Sequence, residues 1–125
     1  MLVVDDDAQY RDMLVKALQS RGLEALQACD GYAALEAYAR ERRQGSGFDV
    51  VLLDLGLPGM NGGECLRKLR EIDGAAKVII TTGYDPRQEL SLELQSLAAD
   101  FMQKPFSLKD LLANVRSLAR QGKNA

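Results

Sequence analysis

Val50-Val51-Leu52-Leu53 is an unbroken apolar run that stops in a carboxylate, Asp54. A strand with one wet face alternates apolar with polar residues. A run without alternation suits a strand covered on both faces, as in a parallel sheet between helices. Gly56, Pro58, Gly59 and Gly62 follow, and these cannot continue a strand, so they read as a loop. A carboxylate at the mouth of a buried strand is costly unless something stabilises it. Most such aspartates cap the next helix or face solvent. Asp54 therefore gains weight only if the rest of the chain supplies partners.

Met1-Leu2-Val3-Val4 is a second continuous apolar run, and it too stops in acid, Asp5-Asp6-Asp7. Tyr10, Leu14, Ala17 and Leu18 then mark one helical face, with Asp6 or Asp7 to serve its start and Gly22 to cap its end. Leu23 to Ala28 alternates weakly and reads as a shorter strand. Asp30-Gly31 opens a second helix with Ala34, Leu35 and Tyr38 inward, closed by Arg40, Arg42 and Arg43, which suit a helix C-terminus and read as solvated. Cys65, Leu66, Leu69 and Ile72 space out a third helix, ended by Asp73-Gly74. Lys77 to Thr82 is β-branched and reads as a strand. Asp85-Pro86 can start a fourth helix through Leu90, Leu94 and Leu97. Phe101-Met102-Gln103 is a short strand before Lys104-Pro105. Ser107-Leu108-Lys109-Asp110 resembles a capping box for a last helix through Leu111, Leu112, Val115, Leu118 and Ala119. Tyr10, Tyr32 and Tyr38 read as packing, and Cys29 and Cys65 as small apolar fillers.

Five strands alternating with five helices predict an α/β protein, a doubly wound parallel sheet with helices on both faces. The 125 residues make one domain, 1–125, with 121–125 a frayed end or linker. The net charge of −2 is mixed along the chain, so no basic stripe suggests nucleic acid. No run approaches the roughly 20 apolar residues of a membrane span. Two isolated cysteines and no histidine argue against zinc and against Cys/His or Ser/His catalysis, and fit reduced cytoplasmic thiols. The chain starts almost inside an apolar run, which suggests a piece of something longer.

In such sheets ligands bind beyond the C-terminal strand ends, where the strand order reverses. Four of the strands end in polar groups: Asp5, Asp6 and Asp7, then Asp54, Thr82 and Lys104. Clustered carboxylates repel one another, and ionising them together requires a cation. Oxygen-only ligands favour a hard ion, Mg²⁺ before zinc. Carboxylates, Mg²⁺, an amine and a hydroxyl form a phosphoryl-handling set, in which a carboxylate can be the nucleophile.

Leu2-Val3-Val4-Asp5-Asp6-Asp7, Asp54-Leu55-Gly56-Leu57-Pro58-Gly59-Met60-Asn61-Gly62, Thr81-Thr82-Gly83 and Lys104-Pro105-Phe106 resemble the receiver (response-regulator) domains of two-component signalling. The resemblance spans essentially the whole chain and implies the flavodoxin-like strand order 2-1-3-4-5. It also implies that Asp54 is the phosphoacceptor, with Mg²⁺ held by Asp5, Asp6, Asp54 and the backbone carbonyl of Gly56. Thr82 and Lys104 would contact the phosphoryl group, Gly83 would leave room for it, and Pro105 would follow a cis bond. Thr82 and Phe101 would form the switch. The implied partners are a histidine kinase or histidine phosphotransfer domain, and a second copy through the fourth helix–fifth strand–fifth helix face. Neither nucleic acid nor membrane is expected to be contacted by this domain. The implied protein is a switch, not an enzyme: it catalyses only its own phosphorylation and dephosphorylation.

Asn61 and Phe101 depart from the Asp and Tyr frequent at those places in the family. Gly56 and Tyr84 stand at positions that tune phosphoryl lifetime there, and the pair suggests slow self-dephosphorylation. The start of the chain and Thr82-Gly83-Tyr84 resemble receivers attached to hybrid histidine kinases. Two rival readings share the architecture. A phosphorylation-independent docking module would not need the intact Asp5/Asp6/Asp54/Thr82/Lys104 set. A flavin-binding electron carrier would need a phosphate loop where three aspartates stand.

Overall fold

The computed structural model describes residues 1–84 and 91–123, the last four by backbone alone. The elements run β1 (Leu2–Val4), α1 (Ala8–Ser20), β2 (Leu26–Ala28), α2 (Gly31–Arg43), β3 (Val51–Asp54), α3 (Gly62–Ile72), β4 (Val78–Thr82), α4 (Leu92–Leu97), β5 (Asp100–Gln103) and α5 (Leu108–Lys123). The expected helix start at Asp85-Pro86, with Leu90, lies outside the described residues, as does the Asn124-Ala125 end.

All strand pairings are parallel, in the order β2-β1-β3-β4-β5. The apolar runs divide between two cores by strict alternation. Leu2, Val4, Val51, Leu53, Val78 and Ile80 point to the side covered by α2, α3 and α4. Val3, Leu52 and Ile79 point to the side covered by α1 and α5. The central strands are therefore apolar up to Val4, Leu53 and Ile80, because both of their faces are buried. The order reverses between β1 and β3, and there the covering helices diverge to opposite faces.

Capping follows the expected residues. Asp7 Oδ1 accepts the Tyr10 N–H at 3.1 Å, and Asp30 Oδ1 the Ala33 N–H at 2.8 Å. At the end of α1, Gly22 has φ 82°, its N–H reaches the Gln19 carbonyl at 3.0 Å, and the Leu23 N–H reaches Leu18 at 3.2 Å. That is a Schellman motif, and a residue with a Cβ would be strained there. Ser107 Oγ accepts the Asp110 N–H at 3.0 Å. The Lys104-Pro105 bond is cis.

Several expectations need correction. β2 spans only Leu26–Ala28, with Leu26 exposed, because it is the sheet edge and pairs with β1 alone. Tyr32 is 64% exposed and is not packing, and Cys29 is exposed where Cys65 is buried. Arg42 is not merely solvated: its Nη1 lies 2.8 Å from Asp73 Oδ1, while the Tyr38 hydroxyl donates to Asp73 Oδ2 at 2.7 Å. Asp73 thus ties the end of α3 to α2.

Burial alone would raise the Asp73 pKa, but the Tyr38 hydroxyl, the Arg42 guanidinium and the Ala75 N–H hold it below 3.8. Its stabilising contribution is therefore complete above that ordinary value and is lost as pH falls through the lower folded one. Asp73→Asn is expected to cost about 1–2 kcal/mol at pH 7, as for hydrogen bonds to a charged group that is not fully buried. Urea denaturation at pH 7 and at pH 3 should show the gap between the two proteins closing. A gap unchanged at pH 3 would show that the carboxylate charge is not involved.

Candidate functional site

The ladder hydrogen bonds continue past the strand ends and fix the site. The Asp5 N–H donates to the Ala28 carbonyl at 3.2 Å, Leu55 to Thr81 at 2.9 Å, and Lys104 to Thr82 at 2.7 Å. Asp5, Asp54, Thr82 and Lys104 therefore share the C-terminal edge of the sheet, with Asp5 and Asp54 flanking the reversal point.

Carboxylate oxygens of Asp5, Asp6 and Asp54 all lie within 4.8 Å of one another. The side chain of Asp5 is 5% exposed and that of Asp54 13%, while Asp6 faces solvent. Lys104 Nζ lies 2.9 Å from Asp5 Oδ2 and 3.7 Å from Asp54 Oδ1. The Asp5 Oδ1 accepts the Asp7 N–H at 2.9 Å, and the Asp5 carbonyl accepts Arg11 Nη1 at 2.7 Å. The Gly56 N–H points at Asp54 Oδ1 from 3.4 Å. Burial above all, with the Asp5 and Asp6 charges adding to it, raises the Asp54 pKa above its ordinary value; Lys104 and the Gly56 N–H pull the other way. Burial opposes the charge on Lys104, yet the bond to Asp5 and the charge of Asp54 outweigh it and raise the amine. Among the described residues the Lys104 ammonium pairs with Asp5 and Asp54 while Asp6 adds a third carboxylate, which leaves a surplus of negative charge and a donor set that could hold a hard cation.

The remaining expected residues lie near this cluster but play different local parts. Thr82 is buried, and its Oγ1 accepts the Tyr84 N–H at 3.1 Å. The register partner of Asp54 is Thr81, so Thr82 stands one residue further out. A Cβ on Gly83 or Gly56 would meet nothing within 4 Å, so both leave open space. The Tyr84 side chain is 72% exposed, and its backbone N–H is what reaches Thr82. Phe101 is set in β5 opposite Ile80 and packs, partly buried, against the α2–α3–α4 core, away from the acids.

Two features escaped the sequence reading. Asn61, read as a loop residue, is the N-cap of α3 and accepts the Glu64 N–H at 2.9 Å. Tyr10, read as packing, lies beneath Lys104, whose Nζ is 4.8 Å from the ring centroid. A signal for the second existed: first-turn side chains lean back toward the helix N-terminus, here toward the acids.

A doubly wound sheet with an acidic, cation-competent crevice and a lysine at its reversal point is a flavodoxin-like arrangement. The family described as response regulator receiver domain matches residues 1–116. The DNA-binding response regulator MtrA of Mycobacterium tuberculosis is 43% identical over 121 residues, 97% of this chain and 50% of that protein. The sensory transduction protein RegX3 of the same organism is 36% identical over 122 residues, 98% of this chain and 51% of that protein. The chain thus spans about half the length of these relatives. Among solved structures, a response regulator receiver domain protein from Clostridium thermocellum superposes with a TM-score of 0.86 at 25% identity, covering 98% of this chain and 94% of that one. The response regulator TrrA of Thermotoga maritima, in complex with Mg(2+)-BeF, gives 0.78 at 31% identity, covering 94% and 96%. The chain belongs to the response-regulator receiver-domain family. No helix among the described residues is long and apolar enough to cross a membrane.

Proposed function

We propose that this receiver domain accepts a phosphoryl group on Asp54 from a phosphohistidine of a histidine kinase or histidine phosphotransfer protein in the cytoplasm. The observation that carries this is the trio of carboxylates within 4.8 Å, with the Lys104 ammonium 2.9 Å from Asp5 and 3.7 Å from Asp54. An Asp54 carboxylate oxygen forms a bond to phosphorus as the phosphorus–nitrogen bond to the donor histidine breaks. The electron pair returns to the imidazole, which takes a proton from solvent. Asp5, Asp6, Asp54 and the Gly56 carbonyl hold Mg²⁺, which when bound neutralises charge on the phosphoryl oxygens. The all-oxygen donor set fits that ion, and the Mg(2+)-BeF complex of TrrA supports it.

Lys104 donates to one phosphoryl oxygen and the Thr82 hydroxyl to another. Thr82 shifts toward the new group and Phe101 follows. This biases the α4–β5–α5 face between two states, for output or for pairing with a second copy. This domain acts on no other substrate; its only catalysis is of its own aspartyl phosphate. Gly56 has no side chain to hold an attacking water, so the phosphoryl group should persist for minutes or longer.

Mass spectrometry after incubation with acetyl phosphate and Mg²⁺ tests this directly. The expected result is a gain of one phosphoryl group that is absent in Asp54→Asn and absent with chelator. A wild type that gains nothing, and does not respond to beryllofluoride either, is a docking module instead. Loss of the group within seconds would refute the long lifetime while leaving Asp54 as acceptor.

A further inference from the structure

Tyr10 lies in the first turn of α1, which the Asp7 cap fixes at 3.1 Å through the Tyr10 N–H itself. Its ring packs, partly buried, against the α1–α5 core. The other side of the ring faces Lys104, with Nζ 4.8 Å from the centroid. Among the described residues the ammonium therefore has three neighbours: Asp5 at 2.9 Å, Asp54 at 3.7 Å and the ring. A lysine stem is long and flexible, and its head goes where its partners are. In the function proposed above, both carboxylates become engaged by a cation and a phosphoryl group. The ring is the one partner that neither can take.

We propose that Tyr10 is a positioning residue: its π face holds the Lys104 ammonium over the cleft between Asp5 and Asp54, within reach of an incoming phosphoryl oxygen. Its part in phosphoryl uptake rests on the phosphoacceptor reading; the contact itself rests on geometry alone. The partner is the ring, not the hydroxyl, so phenylalanine should serve and an aliphatic side chain should not.

Two measurements on wild type, Tyr10→Leu and Tyr10→Phe decide it. In NMR spectra the Lys104 side-chain protons should be displaced upfield by the ring in wild type and Tyr10→Phe, and not in Tyr10→Leu. With acetyl phosphate at saturating Mg²⁺, uptake by Tyr10→Leu should be slower by about threefold to tenfold, as for a partly desolvated cation–ring contact. Tyr10→Phe should recover most of that loss. No upfield displacement in wild type overturns the contact. A displacement together with an unchanged rate in Tyr10→Leu overturns the positioning role. A wild type that shows the displacement but takes up no phosphoryl group overturns the phosphoacceptor reading, and the positioning role with it, while the contact stands.

Discussion

Lys104→Met is expected to yield a folded protein that takes up phosphoryl from acetyl phosphate about 100-fold more slowly, the usual loss when one preorganised donor to a developing oxyanion is removed. Methionine keeps much of the stem and removes the charge. Without Mg²⁺ the variant should also be less stable, because Asp5 is 5% exposed and Lys104 is its cationic partner at 2.9 Å. Breaking a buried pair costs several kcal/mol, but Lys104 is 27% exposed, so about 2 kcal/mol is the expected scale. Mg²⁺ should restore that stability, since saturation at a hundred times Kd contributes about 2.7 kcal/mol. It should also bind more tightly than in wild type, because cation and ammonium compete for the same Asp5 carboxylate. Thermal melts across a Mg²⁺ titration, with the uptake rate measured in parallel, check all three. Weaker Mg²⁺ binding in the variant would mean that the lysine and the ion do not share Asp5.

The part of this site that could be read from the chain is the part fixed by strand ends. A strand buried on both faces must be apolar until it stops, so the first polar residue marks the sheet edge, as Asp5 and Asp54 do; Thr82 follows the polar Thr81 and Lys104 the polar Gln103, so these two are legible only as polar residues just past their apolar runs. The division of each run between two cores also follows from alternation, as Val3 against Leu2 and Val4 illustrates. Contacts between elements distant in sequence were not legible. The Lys104 amine over Tyr10 joins β5 to α1, and the Asp73 carboxylate joins α3 to Tyr38 and Arg42 on α2. Neither pair has a periodic or spacing signature. β2 was misjudged because an edge strand need not bury both faces, so its pattern is too weak to set its ends. Cys29 and Tyr32 were misjudged for a related reason: apolar character says nothing about exposure just past an edge strand.

Gly62→Ala is expected to damage both fold and site, because it is the first residue of α3 and crosses the loop leaving Asp54. A Cβ there would lie 2.6 Å from the Asp54 carbonyl oxygen and 2.6 Å from Leu55 Cα. Both are backbone atoms, so no side chain can swing aside. The Gly62 N–H also donates to the Leu55 carbonyl at 3.0 Å, and the turn cannot open without losing that bond. Overpacking of this kind costs about 1–3 kcal/mol, and the upper half of that range is expected where only backbone can yield. Moving the Asp54 backbone by a fraction of an ångström should also slow uptake at least about tenfold, since reacting groups tolerate little displacement. Gly63→Ala is the internal control. Its Cβ would meet the Leu94 Cδ1 at 2.9 Å, the far end of a side chain that can rotate, and alanine favours the helix by about 0.5–1 kcal/mol. Urea denaturation and acetyl phosphate kinetics on both variants should separate them clearly. Equal stabilities would show that the loop behind Asp54 has slack, and that its approach to α3 does not set the position of the carboxylate.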